Sequence, residues 1–531
     1  MAKHSLTTIF SAFFSAWHVD PLFSRAFIAM LFAITLSLLL APAMAGDPAA
    51  LQAAVASAVT AGAPTFIVPP GVYNFSALPP SAPATLEIVR ATNFTLAAGG
   101  EVELIFPPLG GLRVLSSTNV TLTGSFTLDA WPPFTTQGAV SRGRRDGKWF
   151  NFTLTLEAGF ALDPARYIKS RALFFDPATR RTLPNQVLAV SSALALAPGA
   201  APREWDVSVS FFANPTLTIP NGALCALTPV LGGPALLVSD SARFTARGLT
   251  SYAASGFTVF EVGGAGGHTY SRLNVTRRPG SGRLMASAAD VFHSTAVAAG
   301  PVIEDSELSF AGDDLFAVHC ELGILWRRVN ATTFYIIDTG GGIGLAQGKA
   351  GEELTLYGFN ESMPRLATAA LGAKGLRPVT NATLIAEAER AAAYIHNVLH
   401  VSMRNFTVNL LLADLAPPGL ALADFSALVE LPSRCGAGTV VRNTRLHDTA
   451  GGMRLKGAGL RVEGCEVENA YGMRMLPELY WTQSVSRNVT LIDNVLRGCG
   501  CTTLAPHAIE YNADIVGLQL LNNTVFPTSC T

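Results

Sequence analysis

A short apolar motif recurs along the last hundred or so residues of the chain. Val441 to Leu446, Val462 to Val467, Leu491 to Leu496 and Leu520 to Val525 each open and close on an apolar residue, with Asn, Gly or Asp at the third place. The copies start 21, 29 and 29 residues apart, and Val302-Ile-Glu-Asp-Ser-Glu-Leu308 fits the same pattern. A repeat of this length is one turn of a solenoid, whose inner face is buried only by stacking on its neighbours. The polar third and fourth places predict stacked turns. The Gly-Gly and Asn-Asn punctuation predicts β-strands rather than helical or leucine-rich coils. The pattern therefore predicts an all-β chain built as a parallel β-helix.

Two stretches break the repeat. Between about 143 and 230, Phe150, Phe152, Leu154 and Leu156 alternate with polar residues, as do Trp205, Val207, Val209 and Phe211. Period-two alternation marks half-exposed antiparallel sheet. Leu354-Thr-Leu-Tyr357 repeats it between about 321 and 400, beside a helix predicted near Leu384 to Ile395. Residues 143–230 and 321–400 thus read as antiparallel β-barrel or sandwich modules inserted into coil loops, with Arg142 to Lys148 as the exposed entry to the first. Coils occupy 46–142, 231–320 and 401–531. At the start of the coils, Asp47 is an N-cap before Pro48, and Leu51, Val55, Ala58 and Val59 form one apolar helical stripe. A helix there, followed by Thr65 to Tyr73, would cover a sheet end that otherwise invites edge pairing.

Residues 1–45 read as a signal peptide. Ala26 to Leu40 is almost wholly apolar, too short for a bilayer span, and Ala43-Met-Ala45 offers a small-residue cleavage site. An uncleaved anchor is the alternative. The expectation is a secreted chain, extracellular or in the secretory lumen, with no stable membrane insertion after cleavage.

Composition narrows the partners. Only 14% of the 531 residues are charged and the net charge is −1, so no field draws nucleic acid or anionic membrane. The 48 glycines and 32 prolines suit many turns. In a secreted protein some of the seven cysteines should pair. Cys435 with Cys465, and Cys499 or Cys501 with Cys530, lie about one coil apart. The absence of CxxC argues against a zinc site. Sequons stand at Asn74, Asn93, Asn119, Asn151, Asn274, Asn330, Asn360, Asn381, Asn405, Asn488 and Asn522. They are glycosylation sites or asparagines of coil turns.

The chemistry concentrates in three aspartates. Asp290 precedes the pair Asp313 and Asp314 by about one coil. Stacked coils lie about 4.8 Å apart, so the three carboxylates converge if both segments are coil strands. Glycoside cleavage needs an acid for the leaving oxygen and a second carboxylate for water or the anomeric carbon. Consecutive strand residues point to opposite faces, so Asp313 and Asp314 both reach a cleft only if the chain bends, which Gly312 permits. The bland alternative is Gly-Asp-Asp as an ordinary turn. His293 and His319 flank the aspartates as candidates to bind sugar hydroxyls or tune the acid. Arg454 and Lys456 share one strand face and suggest an anionic or hydroxyl-rich ligand, or a solvated face. Glu478 beside Tyr480 and Trp481 resembles the aromatic and carboxylate walls of sugar sites. Gly340 to Gly344 lacks the Lys-Ser/Thr of a phosphate loop and reads as a turn.

These segments resemble the secreted right-handed parallel β-helix glycosidases, nearest to the inverting α-1,3-galactosidase family. The resemblance covers about residues 50 to 531. It rests on Ala289-Asp-Val-Phe-His293, Gly312-Asp-Asp-Leu-Phe-Ala-Val-His319, Gly452-Met-Arg-Leu-Lys456 and Pro477-Glu-Leu-Tyr-Trp481, in that order. It implies a pectate-lyase-like solenoid with two β inserts. It implies Asp313 as general acid, with Asp290 and Asp314 handling the water, and an exo-acting enzyme on a galactose-type terminal residue. Val291 stands where the family has Gly and Ala317 where it has Asn. The polygalacturonases are more remotely similar, through the split aspartate trio and the Arg454-Leu-Lys456 strand, which implies uronates. No cofactor is expected; calcium would enter only with a third reading, a polysaccharide lyase. A fourth is a non-catalytic carbohydrate-binding wall protein. Under each, the partner is an oligo- or polysaccharide, and monomer and homodimer stay open.

Overall fold

The computed structural model describes residues 46–531 apart from 80–83, 148, 168–169, 184–188, 191–194, 200, 211–218, 230–231, 339–344, 359–362, 364, 400–408, 416–423, 425–426, 477–484, 501–506, 513–514 and 527–531. The expected signal peptide, the Gly340 to Gly344 turn and the segment holding Glu478 and Trp481 therefore lie outside the described residues.

The helix Pro48–Thr60 forms as its stripe predicts. Asp47 accepts hydrogen bonds from the Ala49 and Ala50 amides at 2.9 and 3.1 Å, and Leu51 and Val55 are buried. It lies over the strand Thr85–Val89 and closes that end of the coil.

Beyond it the chain winds as a parallel β-helix. Coils supply strands to a nine-stranded parallel sheet and to an eighteen-stranded one. The C-terminal repeats stack in the predicted register: Ile303, Val441, Val462, Leu491 and Leu520 form one column. Leu308, Leu446, Val467, Leu496 and Val525 form the next. Each fully buried member of such a column contributes roughly 1.5–3 kcal/mol relative to exposure, although no coil buries them alone.

The third place of the repeat is the turn itself. Asp305, Asn443, Gly464, Asp493 and Asn522 all have φ between 49° and 59°, the left-handed region that Asn, Asp and Gly tolerate. The fourth place stacks inward: Asn494 accepts from the Cys465 amide at 2.9 Å and donates to Asn523 at 2.8 Å. Four of the sequon asparagines, Asn93, Asn119, Asn488 and Asn522, sit at such left-handed turns, and Asn119 donates to Asn93 at 2.7 Å. Asn360 and Asn405 fall outside the described residues.

Two modules interrupt the coils. The first is an antiparallel seven-stranded sheet running from the strand Thr136–Asp146 to Leu224–Pro229. Arg142 to Asp146 are part of its first strand, which turns back into Trp149–Leu156. They are a hairpin within the module rather than its entry, because the pairing with Leu224–Pro229 already begins at Thr136. The second module is a closed six-stranded barrel. The helix Ala382–Leu399, near the predicted place, packs Ala388 and Ala392 against its wall. The strands Asn409–Leu415 and Leu428–Glu430 complete the barrel, so it extends past residue 400. Leu410, Leu411 and Leu412 are consecutive apolar residues, which hid that strand from a period-two search.

Cys435 pairs with Cys320, not with Cys465. The bridge ties the two ends of the barrel module together, a juxtaposition that coil spacing does not anticipate. Cys501 and Cys530 lie outside the described residues. No helix among the described residues is long and apolar enough to cross a membrane.

Candidate active site

The nine-stranded sheet has an inner and an outer face. Val259, Phe292, Phe316, Met453 and Met473 align inward and are buried. Phe260, His293, Ala317, Arg454, Arg474 and Glu510 align in the alternate, outward column. The aspartates stand in the turns just before the strands Phe292–Thr295 and Phe316–His319.

Those turns are tight. The Val291 amide donates to the Asp314 carbonyl at 2.9 Å, and Gly312 donates to Ser287 and Ala289. A Cβ on Gly312 would lie 2.2 Å from the Ala288 carbonyl oxygen, so only glycine fits beside the previous coil. Asp290, Asp313 and Asp314 converge: one carboxylate oxygen of each lies within 4.8 Å of the others.

Their surroundings differ. Asp290 Oδ2 lies 2.5 Å from His293 Nδ1. Asp314 accepts from the Gly452 amide at 3.2 Å and pairs with Arg454 at 3.1 Å. Asp313 pairs with Arg171 at 2.5 Å. Its side chain is 21% exposed, against 5% for Asp290 and 10% for Asp314. Burial, then the Asp313 charge, pushes the Asp290 carboxyl well above the usual range, although Arg171 and Arg454 oppose it. Burial likewise lifts Asp314 to about 7, with Arg454 pulling down and Asp313 and Asp290 pushing up. Like charges at this range share protons rather than all ionise.

Arg171 was not visible as a site residue in the sequence. It comes from the strand Ser170–Phe175 of the inserted sheet. That sheet docks through Leu173, Phe175, Leu224 and Ala226 on Leu284, Met285 and Ala450 of the coils. Thr228 also donates to the Ala288 carbonyl at 3.0 Å. The Arg171 Nε and Nη1 atoms are buried without a hydrogen-bond partner among the described residues.

The two histidine rings meet edge to face, with centroids 4.8 Å apart. His293 Nε2 and His319 Nε2 are 2.9 Å apart. His319 is 1% exposed, so it reaches a ligand only through His293. Phe257 and Phe260 flank the His293 ring at 4.6 and 5.5 Å. Both are partly exposed and offer the apolar wall that a sugar ring would need. Their signal was register: Phe260 is aligned with His293 one coil away. Lys456 is 1% exposed, and its charge acts on His319. Val291 is in the coil core and does not border the site. Ala317 leaves a short side chain between His293 and Arg454 in the outward column.

The arrangement can hold and move protons among three carboxylates. Arg171 and Arg454 supply counter-charge to the trio. Cys320, Glu430 and Cys435 also converge, but both sulfurs are committed to the disulfide.

No family model matches the chain, and no curated protein matches its sequence. Among solved structures it is similar to the A-module of the mannuronan C-5 epimerase AlgE4 of Azotobacter vinelandii. That likeness has 10% identity and a TM-score of 0.28 over 91% of this chain and 95% of that one. A glycoside hydrolase matches at 9% identity and a TM-score of 0.25, over 81% of this chain and 89% of that one. The catalytic unit of a GH87 α-1,3-glucanase of Streptomyces thermodiastaticus strain HF3-3 matches at 10% identity and 0.26, over 92% of this chain and 68% of that one. Likenesses this distant carry no functional argument.

Proposed function

We propose that the protein is a carbohydrate-active enzyme that hydrolyses a glycosidic bond. The observation that carries this reading is the convergence of Asp290, Asp313 and Asp314 within 4.8 Å. Asp313, the most exposed of the three, is the member a glycosidic oxygen can touch. It delivers a proton as the bond from the anomeric carbon to that oxygen breaks. The proton it gives is drawn from Asp290 or Asp314, which burial keeps protonated. Water adds to the anomeric carbon and its proton returns to the carboxylate so emptied, so the trio returns to its starting proton count. The finer reading is an exo-acting, inverting enzyme on a terminal galactose-type residue of an oligo- or polysaccharide in a secretory or extracellular setting. Motif order and the two β inserts support it. Inverting pairs usually stand about 6.5–9.5 Å apart and retaining pairs about 5–5.5 Å, so the close trio makes product stereochemistry the informative readout.

A second substrate class, uronate-bearing chains, is favoured by Arg171. Its unpartnered Nε and Nη1 nitrogens, in the same field as Arg454 at Asp290, suit a sugar carboxylate better than a hydroxyl. One screen separates these readings: α- and β-linked aryl glycosides and galacturonans, with the product anomer followed by NMR. Hydrolysis of at least one substrate is expected, reduced about 1,000-fold or more in D313N, the scale of losing an acid catalyst. Unchanged hydrolysis of every substrate by D313N would end the assignment.

A further inference from the structure

The line of groups behind Asp290 has one consistent arrangement of hydrogens. His319 Nδ1 lies 3.0 Å from the Cys320 carbonyl oxygen and 3.3 Å from Thr295 Oγ1. A carbonyl only accepts, so His319 Nδ1 carries hydrogen. Burial, and then the neighbouring His293, hold His319 well below its ordinary pKa, so the ring is neutral and its Nε2 is bare. The 2.9 Å contact between the two Nε2 atoms then requires His293 Nε2 to donate. That leaves His293 Nδ1 facing Asp290 Oδ2 at 2.5 Å, a contact that two bare acceptors would not make. One proton lies on it, on either the carboxyl or the imidazole, and in both forms the pair carries no net charge.

We infer that His319 is a positioning residue: it fixes the hydrogen of His293 on Nε2 and so keeps one shared proton on the Asp290–His293 contact. The inference rests on the hydrolase reading for its catalytic meaning, but not for its geometry. Among the described residues, the charged groups that act on the pair include Asp313 and Asp314 from the adjoining turn, Arg171 from the inserted sheet, and Arg454 and Lys456 from the next coil. The far end of the line is fixed covalently, since Cys320 is bridged to Cys435. His319 thus does not meet substrate; it fixes where the hydrogens of His293 lie beside Asp290.

Nitrogen-15 spectra of the full histidine-labelled chain test the hydrogen placement, with H319Q and H293N used for assignment. Protonated Nδ1 and bare Nε2 in His319, with protonated Nε2 in His293, are expected. Bare Nε2 in His293 would overturn the inference. The kinetic arm compares H319Q, whose amide oxygen still accepts from His293, with H319F, which cannot. Losing the acceptor destabilises the donor form of His293. The pH limb on which the shared proton is lost should therefore move down by about one unit or more in H319F, with kcat falling about tenfold and KM steady. H319Q should keep the wild-type profile. Identical profiles for H319Q and H319F would overturn the inference. If H319F does not fold, the spectra of the wild-type chain and H319Q still decide. If the spectra agree but D313N hydrolyses every substrate as well as wild type, the hydrolase reading fails while the hydrogen placement stands.

Discussion

Replacing Asp314 by Asn should make the protein more stable above neutral pH while removing activity. Asp314 has a pKa of about 7 in the folded chain, against about 3.9 in an unfolded one. Between those values the folded state binds the extra proton, so stability falls as pH rises through the window from about 4 to 7. A difference of about three units is about 4 kcal/mol at pH 8. That figure already includes the attraction of Arg454, because the ion pair at 3.1 Å is one of the influences that set the value. Asn mimics the protonated carboxyl and keeps an oxygen for the Gly452 amide. Coupling to Asp290 and Asp313 lets part of the cost relax, so a gain of about 2–4 kcal/mol is expected at pH 8 and about none at pH 4. The assay is guanidinium unfolding of wild type and D314N at both pH values, followed by the fluorescence of the six tryptophans. A variant less stable than wild type at pH 8, or one with an unchanged pH slope, would refute the claim that this carboxyl is strained by burial and by its neighbours.

Two further outcomes follow from the inserts. R171A should lower kcat/KM at least about tenfold, and R171K should restore only part of it, since one ammonium replaces a planar fork; equal rates in all three proteins would remove the inserted sheet from the site. Reducing the Cys320–Cys435 bridge releases a loop of sequence separation 115, worth about 4.8 kcal/mol in the chain-entropy account; an unfolding midpoint indifferent to reductant would count against that stabilisation.

The coil and the trio were legible in the sequence because both depend on local repetition. Val462 and Leu491 announce the same place on successive turns, and Asp493 and Asn522 announce the same left-handed bend. Asp290 and Asp313 are one coil apart for the same reason. What was not legible depends on where inserted segments return. Arg171 has no sequence relation to Asp313, and its role comes from the docking of Leu173 and Phe175 on the coil. Cys320 finds Cys435 because a barrel leaves and re-enters at one point, whereas Cys465, one coil from Cys435, is simply buried in the core. His319 reads as a ligand-facing residue by pattern, yet the barrel begins two residues beyond Cys320 at Leu322, and the side chain is enclosed.

The inserts also explain why the carboxyls on this stretch of coil differ from those on a bare one. A carboxylate on a bare outward column would be solvated and ionised, with little reason to hold a proton at neutral pH. Asp290 and Asp314 hold theirs chiefly because they are buried. Part of that cover comes from the sheet that delivers Arg171, and the barrel leaves the coil directly after His319 and Cys320. The same cover leaves Asp313 the most exposed member of the trio. A coil scaffold carrying these three aspartates without the two modules should keep their spacing and lose the difference in burial that sets Asp313 apart from Asp290 and Asp314.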